Sequence, residues 1–140
     1  MISIVQTYGS MLLSALGKTL LLTLLSLVFA MIIGMIFALM NVGKNRAFNL
    51  IGTVYVDAVR GVPLIVLAYF IYFGVPAGIK MIGIQDFRLT ALQAGTIALA
   101  MNCGAYMAEI IRAGIESVDR GQMEASRSLG LTYGKSMRLV

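Results

Sequence analysis

Residues Thr19–Met40 read TLLLTLLSLVFAMIIGMIFALM. No charged side chain interrupts them. A helix that crosses the hydrocarbon core of a bilayer needs about 20 mainly apolar residues. Apolar side chains surround this helix instead of forming one stripe, which suits contact with lipid on every side. Water-soluble core helices are rarely so long and so free of charge. The stretch therefore predicts a membrane span, and the fold class follows from how often the pattern recurs.

It recurs twice. Gly61–Ile79 reads GVPLIVLAYFIYFGVPAGI, and Leu89–Ala108 reads LTALQAGTIALAMNCGAYMA. The spacing predicts spans over about 19–40, 53–74 and 89–108, with helix before the second span from about Thr53. Composition agrees: 59% of the 140 residues are apolar and only 12% charged, about half the charged share of a soluble domain. Mean hydropathy is +0.91. The net charge of +5 does not point to nucleic acid, because its basic residues lie in short connections and no recognition module is present. One cysteine, Cys103, excludes a disulfide within the chain, and without histidine no ordinary zinc site or histidine general base is available. The first 17 residues carry no Lys or Arg, so they lack the positive region of a signal peptide. Residues 1–18 are expected to lie as an interfacial helix or to extend the first span.

Basic residues in short loops favour the cytoplasmic side. Lys44 and Arg46 share a side with Arg112, Arg120, Arg127, Lys135 and Arg138, against Lys18, Lys80 and Arg88 opposite. The N-terminus is thus expected outside, and residues 41–50 and 109–140 in the cytoplasm. Small residues recur four apart at Gly34/Ala38, Ala91/Gly95, Ala94/Ala98 and Gly104/Ala108. Such pairs let membrane helices approach closely, and three helices alone bury little, which favours a larger assembly.

Polar residues stand out against this background. In YVDAVRGVPLIVL (Tyr55–Leu67), Asp57 and Arg60 fall on one helix face and are able to pair. Pro63 suits a first helical turn and kinks a helix further in. Asn102 and Tyr106 share a face of the third span. Glu109, Arg112 and Glu116 follow at helical spacing, so helix should continue beyond the membrane. Asp57, Arg60, Pro63, Asn102, Tyr106 and Glu109 are candidates for a translocation path or for helix packing. Asp119-Arg120-Gly121-Gln122 is a capping-box pattern, and Gly130 is placed to stop the helix that it starts. Met123, Ser126 and Leu129 or Gly130 lie on one face, with Gln122, Ala125 and Leu129 beside it. A short amphipathic helix outside the membrane cannot bury its apolar edge alone, so it should dock on another protein or on a further part of this one.

GQMEASRSLGLTYGKSMRLV (Gly121–Val140) resembles the cytoplasmic loop of binding-protein-dependent ABC importer permeases. That loop has Glu-Ala-Ala, three residues, Gly, nine residues, then Ile-x-Leu-Pro. Glu124-Ala125-Ser126, Gly130 and Val140 stand at the matching positions, Ser126 replacing the second Ala. GAYMAEIIRAGIESVDRGQMEA and YVDAVRGVPLIV are similar to the polar amino-acid permeases of the histidine, glutamine and arginine type. The resemblance implies an all-α, polytopic type I ABC importer permease fold with three of about five spans present, and hence a C-terminally truncated chain. It implies a transport subunit of the bacterial inner membrane, not an enzyme and without a cofactor of its own. No Gly-x-x-x-x-Gly-Lys-Ser/Thr loop for ATP occurs. The implied partners are an ABC ATPase, a second permease copy or paralogue, a periplasmic or lipid-anchored amino-acid-binding protein and membrane lipid. The implied coupling residues are Gly121, Gln122, Glu124, Ala125, Ser126, Leu129 and Gly130: Gly121 for a turn into the helix, Glu124 for polar contact with the ATPase, Ala125 for close approach and Gly130 for the exit turn. A small channel or secondary transporter is the alternative, and a membrane anchor without transport a third. Glutamine, glutamate, arginine, histidine and cystine are all admissible substrates.

Overall fold

The computed structural model describes residues 2–139, with side chains described for 8–119 and 121–139. Met1 and Val140, the latter at the Ile position of the loop motif, lie outside the described residues. The elements are α1 (Ile2–Val42), α2 (Arg46–Gly61), α3 (Leu64–Tyr69), a π turn (Phe70–Gly74), α4 (Val75–Met81), α5 (Ala91–Glu116), α6 (Arg120–Ser128) and α7 (Tyr133–Leu139). No strand occurs among the described residues. Three stretches are long and apolar enough to cross a membrane: Tyr8–Val42, Leu64–Met81 and Ala91–Glu116.

Of the three boundaries, only that of the second span departs from expectation. Residues 2–18 extend the first span, the second of the two expected arrangements, because α1 runs unbroken for 41 residues, about 60 Å at the helical rise. The second span does not cover 53–74. α2 ends at Gly61, Val62 is extended (φ −103°, ψ 130°), and Pro63 caps α3 with ψ 135°. Proline disfavours helical geometry in the residue before it and offers no N–H to continue the ladder, so the chain breaks there and a new apolar helical run starts at Leu64. The third helix begins at a capping box, with the Thr90 hydroxyl accepting from Gln93 N and the Gln93 side chain accepting from Thr90 N. It then continues past residue 108 to Glu116. A further proline, Pro76, is accommodated within the second span by the π turn just before it, where Val75 N–H bonds back to Phe70 O. The widened turn moves carbonyls away from the proline ring.

α5 is the centre of the assembly. One of its sides meets α1 through a seam of small residues. A Cβ added at Gly34 would lie 2.7 Å from Met107 Cβ, and one at Gly104 would lie 2.8 Å from Ile33 Cγ2. Leu22 approaches Gly95 while Gly34 approaches Met107 and Ala108, so α1 and α5 run parallel, as a first and a third crossing must. Across the same seam the Ser26 hydroxyl donates to Leu22 O (2.6 Å) and reaches Thr96 O (3.4 Å). Another part of α5, with Ala94, Ala98 and Ala105 buried, receives Val59, Leu67 and Ile71. α2 is keyed to both neighbours. Val56 is buried with Ala38 and Ala108, Tyr55 stacks on Phe37 at 3.9 Å between ring centroids, and its hydroxyl donates to Met101 O at 2.8 Å. Leu12, Leu13, Leu20, Leu24, Val28 and Ile32 of α1 remain exposed, the surface expected where lipid is the solvent.

Candidate functional site: the loop helix and the charged cluster behind it

α6 owes its start to one side chain. The Asp119 carboxylate accepts from Gly121 N at 2.6 Å, satisfying one of the orphan donors of the first turn. The reciprocal half of the expected capping box, a bond from Asp119 N–H to the Gln122 side-chain oxygen, does not form among the described residues. Its end is a left-handed glycine. Gly130 has φ +82°. Its N–H donates to Arg127 O (2.9 Å), and Leu131 N–H donates to Ser126 O (3.4 Å), the paired bonds of a Schellman stop. Gly121 plays no part in turning the chain. It sits in the first helical turn without a positive φ, and an added Cβ would meet Asp119 Oδ1 at 2.9 Å.

Gln122, Glu124, Ala125 and Leu129 are all exposed, as are Arg127 and Ser128, with Leu129 83% accessible. Ser126 is not on that surface. It is buried, its hydroxyl donating to Met123 O at 2.9 Å, and α6 packs on α7, whose Ser136 is fully buried. A small residue at position 126 thus serves the hairpin's own packing. A groove of about 920 Å³ lies between this hairpin and the ends of α1 and α5, lined by Val42, Ile111, Ile115, Met123, Tyr133 and Met137 among others.

Behind the loop, α1, α2 and α5 bring charged residues together. Asn41, Asn49, Thr53, Asp57, Arg60 and Glu109 line one polar pocket of about 260 Å³ together with Arg112 and Glu116. Arg60 does not pair with Asp57. Its guanidinium lies 3.9 Å from Glu109 Oε2 and 5.2 Å from the centroid of the Tyr106 ring. Glu109 also bonds Arg112, which bonds Glu116 at 3.2 Å. The pair that forms joins α2 to α5 across the packed helices instead of closing within α2. Asn102 is half-buried and Tyr106 exposed on α5. Pro63 stands apart, at the helix break.

Residues 26–140 match the family described as binding-protein-dependent transport system inner membrane component. The chain belongs to that family. Over 97% of its length the chain is similar to the probable glutamine ABC transporter permease protein GlnM of Bacillus subtilis (strain 168), 39% identical over 137 residues. The arginine transport system permease protein ArtQ of the same organism is 36% identical over 126 residues, covering 90% of this chain and 55% of ArtQ. A solved structure, the crystal structure of an amino acid ABC transporter with histidines, superposes over 99% of this chain with a TM-score of 0.83 at 40% identity. The chain spans 60% of GlnM and 61% of the chain in that structure. As a multi-pass inner membrane component, it carries α6 outside its three apolar spans.

Two features of this family member escape a reading of the loop motif alone. The nine residues after Gly130 include a second helix, α7, for which Thr132 followed by Tyr133 and Met137 four apart was the available signal. Asn41, Asn49 and Thr53 join the charged cluster, and nothing local in the sequence marks them. The cap is directly testable. Asp119→Ala removes the side-chain acceptor and should cost α6 about 1 kcal/mol, visible as faster amide exchange at Gly121 to Met123 with exchange within the spans unchanged.

Proposed function

We propose that this chain is the permease part of an ABC importer that moves polar amino acids across the bacterial inner membrane, driven by a separate ATPase subunit. The observation that carries the proposal is α6, a capped and stopped helix that exposes Glu124, Ala125 and Leu129 beside three apolar spans. An exposed leucine flanked by small and charged residues on a rigid helix is a docking surface, and α7 braces it from behind. The family's role, and relatives described as glutamine and arginine permeases, support polar amino acids as the cargo. In this reading the ATPase receives α6 in a groove, with Gln122 and Glu124 making the polar contacts, Ala125 allowing close approach, Gly121 within the first turn and Gly130 ending the helix. Ser126 supports the surface from within. When the ATPases close, α6 moves as a rigid body and the path switches between inward and outward access. Differential contacts in the two states supply the energy.

A second permease copy or paralogue completes the path, and a periplasmic or lipid-anchored binding protein delivers the amino acid. The N-terminus lies outside, and residues 41–50 and 109–140 lie in the cytoplasm, where Lys44, Arg46 and Arg127 obey the charge rule. The charged pocket around Arg60 and Glu109 then sits at the cytoplasmic end of the spans.

Co-expression of the full-length protein with its neighbouring ATPase tests the proposal. The ATPase should co-purify with the parent chain. Glu124→Arg, a charge reversal on an exposed position, should weaken that association at least about tenfold, a loss of 1.4 kcal/mol or more, while membrane insertion is unchanged. Failure of any nucleotide-hydrolysing subunit to bind the parent would defeat the reading.

A further inference from the structure

The second arm of the fold is jointed, and one charged residue sits at the joint. α2 stops at Gly61, the chain is extended at Val62, and the first amide bonds of α3 reach back only to Pro63 O, from Val66 (2.9 Å) and Leu67 (3.1 Å). No helical hydrogen bond therefore couples α2 to the second span across Val62–Pro63 among the described residues. Arg60, in the last turn before the break, reaches away from its own helix to α5. There it meets Glu109 at 3.9 Å and lies over the Tyr106 ring. Glu109 is itself held by Arg112, and Arg112 by Glu116, the last residue of α5. Only Ser117–Asp119 separate that end from the loop helix α6.

We infer that Arg60 is a positioning residue that ties the joint at Val62–Pro63 to the end of α5, so that the second span pivots when α6 is displaced. The geometry gives the reason. A displacement of α6 is delivered through a three-residue turn to a rigid helix end. The chain Glu116–Arg112–Glu109–Arg60 carries it sideways to α2, at the point where the backbone is free to bend. Packing of Val56 against Ala38 and Ala108 holds the rest of α2 in place. The joint is therefore the part that yields. A like arrangement with Arg60 bound to Asp57 would remain within α2 and transmit nothing.

This inference rests on the transporter reading, and its test separates the two. The full-length protein is reconstituted with its ATPase and binding protein, and substrate taken up is measured per ATP hydrolysed. Arg60→Gln should lower this ratio about fivefold, the size expected of a part-exposed charge pair with an added ring contact, while the ATPase still co-purifies and still hydrolyses ATP. Arg60→Lys keeps the charge and should stay within about twofold of the parent. Adding Glu109→Gln to Arg60→Gln should lower the ratio no further, because the relay through Glu109 reaches α2 only by way of Arg60. An unchanged ratio in Arg60→Gln overturns the inference. So does a loss of hydrolysis and uptake in equal proportion, which would make Arg60 a residue of general stability. A parent chain that recruits no ATPase overturns the transporter reading and this inference with it.

Discussion

In the full-length protein, Gly130→Pro is expected to cut substrate uptake by at least about tenfold while leaving the chain in the membrane. Proline fixes φ near −65° and has no N–H, whereas Gly130 stands at φ +82° and donates to Arg127 O. The substitution therefore removes one of the two bonds that stop α6 and forbids the turn that makes the other. Both the hydrogen bond and the backbone conformation at the helix stop are lost with proline. α7 is then redirected, and the packing that buries Ser126 and Ser136 is lost. Gly130→Ala should fall between parent and proline. A Cβ there meets nothing within 4 Å, so its only penalty is the left-handed conformation, about 1–2 kcal/mol. Residue 130 lies outside the three apolar stretches, so insertion, measured by protease protection, should be normal in both variants. Parent-like uptake in Gly130→Pro would remove the exit turn from the coupling mechanism.

The second large effect belongs to the seam between α1 and α5. Gly34→Ala should destabilise the fold by about 1–3 kcal/mol, the usual cost of forcing atoms into a filled contact. The obstruction is rigid, because the new Cβ would face Met107 Cβ at 2.7 Å, Gly104 O at 3.2 Å and Ala108 N at 3.3 Å, and no rotamer moves a Cβ or a backbone atom. Gly104→Ala should behave alike against Ile33 and Ala30 O. Gly114→Ala, on α5 itself with nothing within 4 Å, is the control and should be neutral or slightly stabilising through helix propensity. Thermal unfolding in one detergent for all three variants decides the matter. A Gly34→Ala midpoint equal to that of Gly114→Ala would show that the seam tolerates separation.

The sequence signals that held are those completed within a few residues. Asp119 caps α6 and Gly130 stops it because both depend on local hydrogen bonds and a single φ. The small residues at Gly34, Gly104 and Ala108 were legible as a pattern, yet the pattern alone did not say which helix each would meet. The expectation for 53–74 failed at Pro63, where the effect of proline on its preceding residue outweighed the apolar run that continues through it. The motif places Ser126 among the coupling residues, yet it is buried. Its burial depends on α7, whose helical character was hidden in a stretch treated as a spacer.

Three uncharged runs, with basic residues in their connections, determine by themselves that this is an all-α membrane chain, since a bilayer accepts only segments that satisfy their own backbone. Membership of the permease family was equally legible, in Glu124-Ala125-Ser126 and Gly130. Tertiary structure alone decided that Arg60 meets Glu109 and not Asp57, that α1 and α5 run close enough to exclude a methyl group, and that Asn41, Asn49 and Thr53 join the charged pocket. The physical reason is distance along the chain. A cap or a turn is fixed by neighbours within one helical turn, whereas an ion pair between α2 and α5 exists only after several helices have packed and brought the two residues together.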